Sequence, residues 1–174
     1  MAHTRQAPWP SQRLSEEEMR TAILNQVLDK ACWRGAKYLG SMLYFDLGGK
    51  IEIPSVRQGV IVQGEAMLGI RDCYWTLLHN KQVITDSDSI GDEDALEKLG
   101  CVQQTFLCDF VVPEPGLVNF VFTGHVVFSL DTTNRYTTQD DIAEFVAPDG
   151  KIYTITPMGD FYLSDEVSTI RFAQ

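Results

Sequence analysis

The chain has 174 residues, 44% of them hydrophobic and 22% charged, which is enough for one globular domain with its own core. That composition excludes a disordered tail, a collagen-like fibre and a disulfide-dense mini-protein. With 14 Lys and Arg against 24 Asp and Glu the net charge is −10, which argues against nucleic-acid and anionic-membrane binding, because both need a basic footprint.

The charge is unevenly placed. Residues 1–38 hold six basic and four acidic side chains, so the other 136 residues carry 8 basic and 20 acidic ones, a balance of −12. Residues 1–14 read as an extended arm, stiffened by Pro8 and Pro10, ahead of a single domain over 15–174. This start has no apolar leader segment, and no run of 18 apolar residues occurs anywhere. The four cysteines, Cys32, Cys73, Cys101 and Cys108, are widely spaced and form no C-x-x-C pair. Together these features point to a cytoplasmic protein with reduced thiols.

A helix opens at Ser15. Glu18 stands three residues on and completes a capping box, and Leu14 with Met19 fits the hydrophobic staple around it. Met19, Ile23, Leu24, Val27, Leu28, Ala31 and Cys32 fall on one stripe, which predicts a helix of about five turns over 16–34, ending at Gly35.

Almost everything after it reads as strand. Ser41–Asp46 and Lys50–Pro54 flank Leu47-Gly48-Gly49, a hairpin signal. Strands follow at 59–72, 73–79 and 81–85, with a tight turn at His79-Asn80, and a short helix is expected over Asp92–Leu99. The strands 101–112 and 117–130 are joined by Pro113-Glu114-Pro115-Gly116, and 142–147 and 151–156 by Pro148-Asp149-Gly150. Segments 161–163 and 168–172 close the sheet. In the 101–130 hairpin the even positions, including Val102, Phe106, Cys108, Phe110, Phe120, Phe122 and Phe128, predict one face on the core, with Cys108 a buried small hydrophobe and Gly124 a bend in a long strand. A faint echo relates Phe45–Pro54 to Phe145–Pro157, as hairpins with a Gly-Lys turn tend to do. The fold class is α+β, mainly antiparallel β as a bent sheet or partly open barrel, with the N-terminal helix packed on one face.

Few residues point to chemistry. Asp86, Asp88, Asp92, Glu93, Asp94 and Glu97 place six acids in twelve residues. Their spacing overlaps a calcium-binding EF-hand loop, but Ile90 stands at a ligand position and Glu93 at an apolar one, so no metal site is expected. Such a cluster makes a strong local field for a basic partner. His125 and Asp109 are offset by about 13 Å along paired strands, too far for a hydrogen-bonded dyad, and His79 reads as a turn residue. Glu65 with Asp72 or Glu144 would make a carboxylate pair only if the fold brought them together. No phosphate-loop, dinucleotide, zinc or serine-nucleophile motif is present, and no cofactor is expected.

Gly64-Glu65-Ala66-Met67-Leu68-Gly69-Ile70-Arg71-Asp72-Cys73-Tyr74-Trp75-Thr76-Leu77, with Val83–Asp88, resembles a segment of small uncharacterised bacterial proteins. The resemblance covers about a quarter of the chain and implies no activity. By analogy of class, small acidic bacterial proteins include immunity proteins that neutralise a toxin. The expected function is therefore a non-enzymatic protein-interaction module, of the immunity-inhibitor type, meeting a basic protein partner through the acids at 86–97. The alternative is a small-molecule-binding β module with a Phe-lined cavity, and an enzyme using paired carboxylates ranks third. A homodimer stays open.

Overall fold

The computed structural model describes residues 11–37, 42–71, 73–89, 93–135 and 142–164. Twelve strands and two short helices make up the described chain: β1 (Ser11–Leu14), α1 (Glu16–Val27), β2 (Ala31–Lys37), β3 (Leu43–Ser55), β4 (Gly59–Ile70), β5 (Cys73–His79), β6 (Gln82–Asp86), α2 (Glu93–Lys98), β7 (Thr105–Glu114), β8 (Leu117–Phe122), β9 (Val126–Arg135), β10 (Ala143–Val146), β11 (Ile152–Ile155) and β12 (Phe161–Ser164). Short 3-10 turns at Ser87–Ser89 and Leu99–Val102 flank α2.

Every strand pairing is antiparallel, and the strands run in the order β1-β12-β11-β10-β4-β3-β2-β7-β8-β9-β5-β6. The sheet is open and sharply bent. At the bend, β2 and β7 share only the pairs Ala31↔Phe106 and Cys32↔Thr105. The two halves fold together there, so Phe45 of the first half meets Phe122 and Phe128 of the second, at ring-centroid distances of 6.1 and 4.9 Å. This is the expected α+β class with a bent sheet. Among the described residues no helix is long and apolar enough to cross a membrane.

The capping box at Ser15 forms as the sequence predicts, with the Glu18 N–H donating to Ser15 Oγ and the Ser15 N–H to the Glu18 carboxylate. Met19, Ile23 and Val27 are buried, and the helix lies against β7, where the Val112 N–H donates to Glu16 Oε1. A sheet edge that would otherwise stay open is covered in this way. The helix ends at Val27, well short of residue 34. Continuing it would carry Ala31 and Cys32 along the buried stripe, but the chain instead enters β2, whose backbone pairs with β3 and β7 on its two sides. Tertiary pairing overrides a local helical pattern here.

Three further expectations are corrected. Leu47-Gly48-Gly49 is no hairpin turn but a bulge inside β3, between the pairs Leu47↔Ala66 and Lys50↔Gly64. The turn of that hairpin is Val56-Arg57-Gln58. Gly124 does not bend a continuous strand: Thr123-Gly124-His125 is the turn between β8 and β9, with positive φ at Gly124 (75°) and His125 (60°). Cys108 is exposed, and so is Phe106. A second bulge, between Leu107↔Phe122 and Asp109↔Val121, shifts the parity of β7, so that Leu107 and Phe110 face the core while Phe106 and Cys108 do not.

The other turns follow the sequence closely. Between β5 and β6 the turn lies one residue later than expected, at Asn80-Lys81 with φ of 50° and 66°, while His79 stays in β5. β7 and β8 join through Pro115-Gly116, and β10 and β11 through Pro148-Asp149-Gly150. The echo between Phe45–Pro54 and Phe145–Pro157 has one structural counterpart: Phe45 and Phe145 both pair with Leu68, from the two sides of β4. The likeness ends there, because Gly48-Gly49 is a bulge and Asp149-Gly150 a turn. The segments 1–10 and 168–172 lie outside the described residues.

Candidate interaction surface

The second half of the sheet, β7-β8-β9-β5-β6, has two unlike faces. Val118, Phe120, Phe122, Phe128, Leu130, Trp75 and Leu77 point into the core. Phe110 and Phe120 stack edge to face at 5.3 Å, Phe110 and Phe161 at 5.4 Å, and Trp75 and Phe128 lie stacked at 5.3 Å. Four of the five phenylalanines proposed to line a ligand cavity are thus buried in ring contacts, Phe110 with Phe120 and Phe161, and Phe122 and Phe128 with Phe45, while Phe106 is exposed.

The outward face is built in rows. Cross-strand pairs run Val111↔Asn119↔Ser129↔Thr76↔Asp86 in one row and Asp109↔Val121↔Val127↔Leu78↔Val83 in the next. Residues two apart on a strand share a face, so the rows lie side by side about 7 Å apart. Five strands at about 4.8 Å spacing give each row a span of about 19 Å. The first row is polar over four positions and ends in a carboxylate. The second has an apolar middle and ends in Val83, which is 56% exposed. Asp109, at its other end, is held by Arg20 of α1 at 2.6 Å. A bulge between Leu77 and Leu78, facing β6, is what brings both Val83 and Asp86 to the same face.

The acidic residues singled out in the sequence take different places. Asp86 is half-buried, and its Oδ1 accepts from the Asp88 N–H, the Ser89 N–H and the Ser89 hydroxyl, which caps the 3-10 turn after β6. Asp88 and Glu97 are exposed. Asp94 is exposed and pairs with Lys98 one helical turn on, at 2.7 Å. Glu93 opens α2, and Asp92 lies outside the described residues. Asp86, Asp88, Asp94 and Glu97 thus belong to one segment that leaves the sheet at the acidic end of the polar row. Among the described residues no three His, Cys, Asp or Glu side chains are grouped so as to hold a metal ion.

The remaining candidates do not converge. Glu65 pairs with Lys30 and Glu144 with Arg71, while Asp72 lies outside the described residues. His125 sits in the β8–β9 turn rather than on a strand, and His79 ends β5. The sequence reading missed the apolar row. Its signal was present, since Val121 and Val127 interrupt the polar odd positions of the 117–130 segment, but only the strand order sets them beside Leu78 and Val83.

An apolar strip bordered by carboxylates is suited to docking a protein of opposite charge. The strip supplies buried area, and the charges speed encounter and discriminate among partners. No family model, no curated protein and no solved structure matches the chain.

Proposed function

We propose that this chain is a non-enzymatic protein-interaction module that meets a basic protein partner on the outward face of β7-β8-β9-β5-β6. One observation carries the reading. The row that ends in Asp86 runs beside the apolar row Val121-Val127-Leu78-Val83, so acidic rim and apolar centre share one face. The acids at 88, 92, 93, 94 and 97 belong to the same segment in sequence as Asp86. A body charge of −12 would steer a cationic partner toward it over long range. By class analogy the partner is a basic toxin, and the chain its immunity-type inhibitor. A cytoplasmic setting is part of the proposal, in keeping with four widely spaced cysteines that form no C-x-x-C pair.

The test is direct binding to the purified product of the adjacent gene. The proposal expects a complex whose association slows as salt rises, and which Asp88→Lys with Glu97→Lys weakens at least tenfold. No complex, or a complex indifferent to both substitutions and to salt, would refute it.

A further inference from the structure

Every other described phenylalanine is buried, whereas Phe106 is 37% exposed. The bulge in β7 is the cause. Leu107 pairs with Phe122 and Asp109 with Val121, so Cys108 is the extra residue between them. With unbroken alternation Phe106 and Cys108 would share the side of the buried Phe110. The bulge turns both outward and forgoes the burial of a phenylalanine ring. Bulges of this kind re-aim side chains beside functional surfaces.

The re-aimed ring stands on a stiff base. The Phe106 N–H donates to Thr123 Oγ1 at 3.0 Å, and its carbonyl accepts the Thr123 N–H at 2.9 Å. On the other side Phe106 pairs with Ala31 of β2, so its backbone is held from both edges. Thr123 lies two residues along from Val121, which sets Phe106 on the outward face next to the apolar row. Cys108 bridges the two, its Sγ donating to the Val121 carbonyl at 3.3 Å. The row Val121-Val127-Leu78-Val83 therefore widens at its β7 end into an exposed aromatic side chain.

We infer that Phe106 is the anchor by which the basic partner docks on this face, its ring entering an apolar recess of that partner. The inference rests on the reading given under Proposed function and adds where the affinity resides. Aromatic side chains dominate binding energy at interfaces, and one whose backbone is already fixed loses little freedom on docking. Charge sets the orientation. Phe106 is on β7, whereas the acidic segment leaves from β6, four strand spacings or about 19 Å across the sheet. At the β7 end Arg20 already holds Asp109, so cations gain less there. The partner's recess and its basic cluster are accordingly about 19 Å apart, matching the two ends of the face.

Binding rates with the purified product of the adjacent gene test the anchor. Phe106→Ala should dissociate at least 30-fold faster, with association and its salt dependence within twofold of wild type. Phe106→Leu, which keeps apolar bulk, should lose less. In the wild-type complex an aromatic disulfide reagent should label Cys108 at least tenfold more slowly than in the free chain. That footprint needs no variant, so it decides the matter even where Phe106→Ala weakens the fold. Wild type that binds, and that Asp88→Lys with Glu97→Lys weakens, while Cys108 stays as reactive as in the free chain, would overturn the anchor and leave the acidic docking reading standing. Phe106→Ala that dissociates at the wild-type rate would do the same. No complex at all would overturn both.

Discussion

The carboxylate of Asp46, wholly buried, is held by the guanidinium of Arg34 at 2.7 Å and fixes the corner where the β3–β4 ribbon leaves the sheet. Its second oxygen takes the Gly64 N–H at 2.7 Å. Arg34 in turn lies over the rings of Trp33 and Tyr44, with its guanidinium carbon 4.6 and 5.0 Å from their centroids. Gly64 has no alternative side chain, since a Cβ there would stand 2.6 Å from the Leu47 nitrogen and the Ala66 carbonyl oxygen. Removing Arg34 leaves a buried carboxylate with a single donor, so Arg34→Met should cost about 3–5 kcal/mol in urea unfolding. Asp46→Asn keeps an acceptor for Gly64 and should cost less than Asp46→Ala.

The same carboxylate has a pH signature. Burial pushes its pKa up, against the opposing pull of the Gly64 N–H and Arg34. Between the unfolded value of about 3.9 and the raised folded value, the folded chain holds the proton more tightly than the unfolded one. Stability from this group is then greater at the acid end of that window and declines as pH rises through the folded pKa. The unfolding free energy of wild type relative to Asp46→Asn should therefore fall as pH climbs from about 4 toward 7. A difference that is flat, or that grows with pH, would contradict this.

Thiol reactivity should separate the cysteines. Cys108 is exposed, although partial burial and then Asp109 push its thiol up, and its Sγ donates to the Val121 carbonyl at 3.3 Å. Cys32 is buried, with its thiol pushed up to about 12. In the native protein at about pH 8, an aromatic disulfide reagent should label Cys108 first and leave Cys32 unlabelled until unfolding. Cys108→Ser should abolish the fast phase.

Two local substitutions calibrate the account. Ser15→Ala removes the cap of α1 and should cost about 1 kcal/mol. Phe128→Ala, at the meeting point of Phe45 and Trp75, should cost about 3–5 kcal/mol in the same unfolding assay. Equal costs for the two would mean that the aromatic cluster is not the centre of the core.

Much of this architecture can be read from local chemistry. The capping box, the Pro-Gly turns and the alternation of Val118, Phe120 and Phe122 each dictate a conformation within a few residues, and each is found. What escaped were features decided by distant partners. The α1 stripe continues through Cys32 in sequence, but the backbone there pairs with residues 47 and 105. Gly48-Gly49 reads as a turn, and becomes a bulge because β4 runs past it unbroken. A single extra residue at Cys108 reverses which side chains of β7 are buried, and alternation alone does not announce it. The candidate surface divides in the same way. Its acids are contiguous in sequence and stood out at once, while its apolar row is assembled from four strands and exists only through their order.

The proposed docking face makes the most direct claim, and association kinetics with the adjacent gene product test it. Asp86 also caps its turn, so the charge variant is better made at Asp88 and Glu97, and the apolar variant at Val83. Asp88→Lys with Glu97→Lys should slow association and flatten its dependence on salt, while Val83→Lys should mainly speed dissociation. Failure of the wild type to bind at about 10 µM, or variants whose rates match the wild type at every salt concentration, would contradict the account.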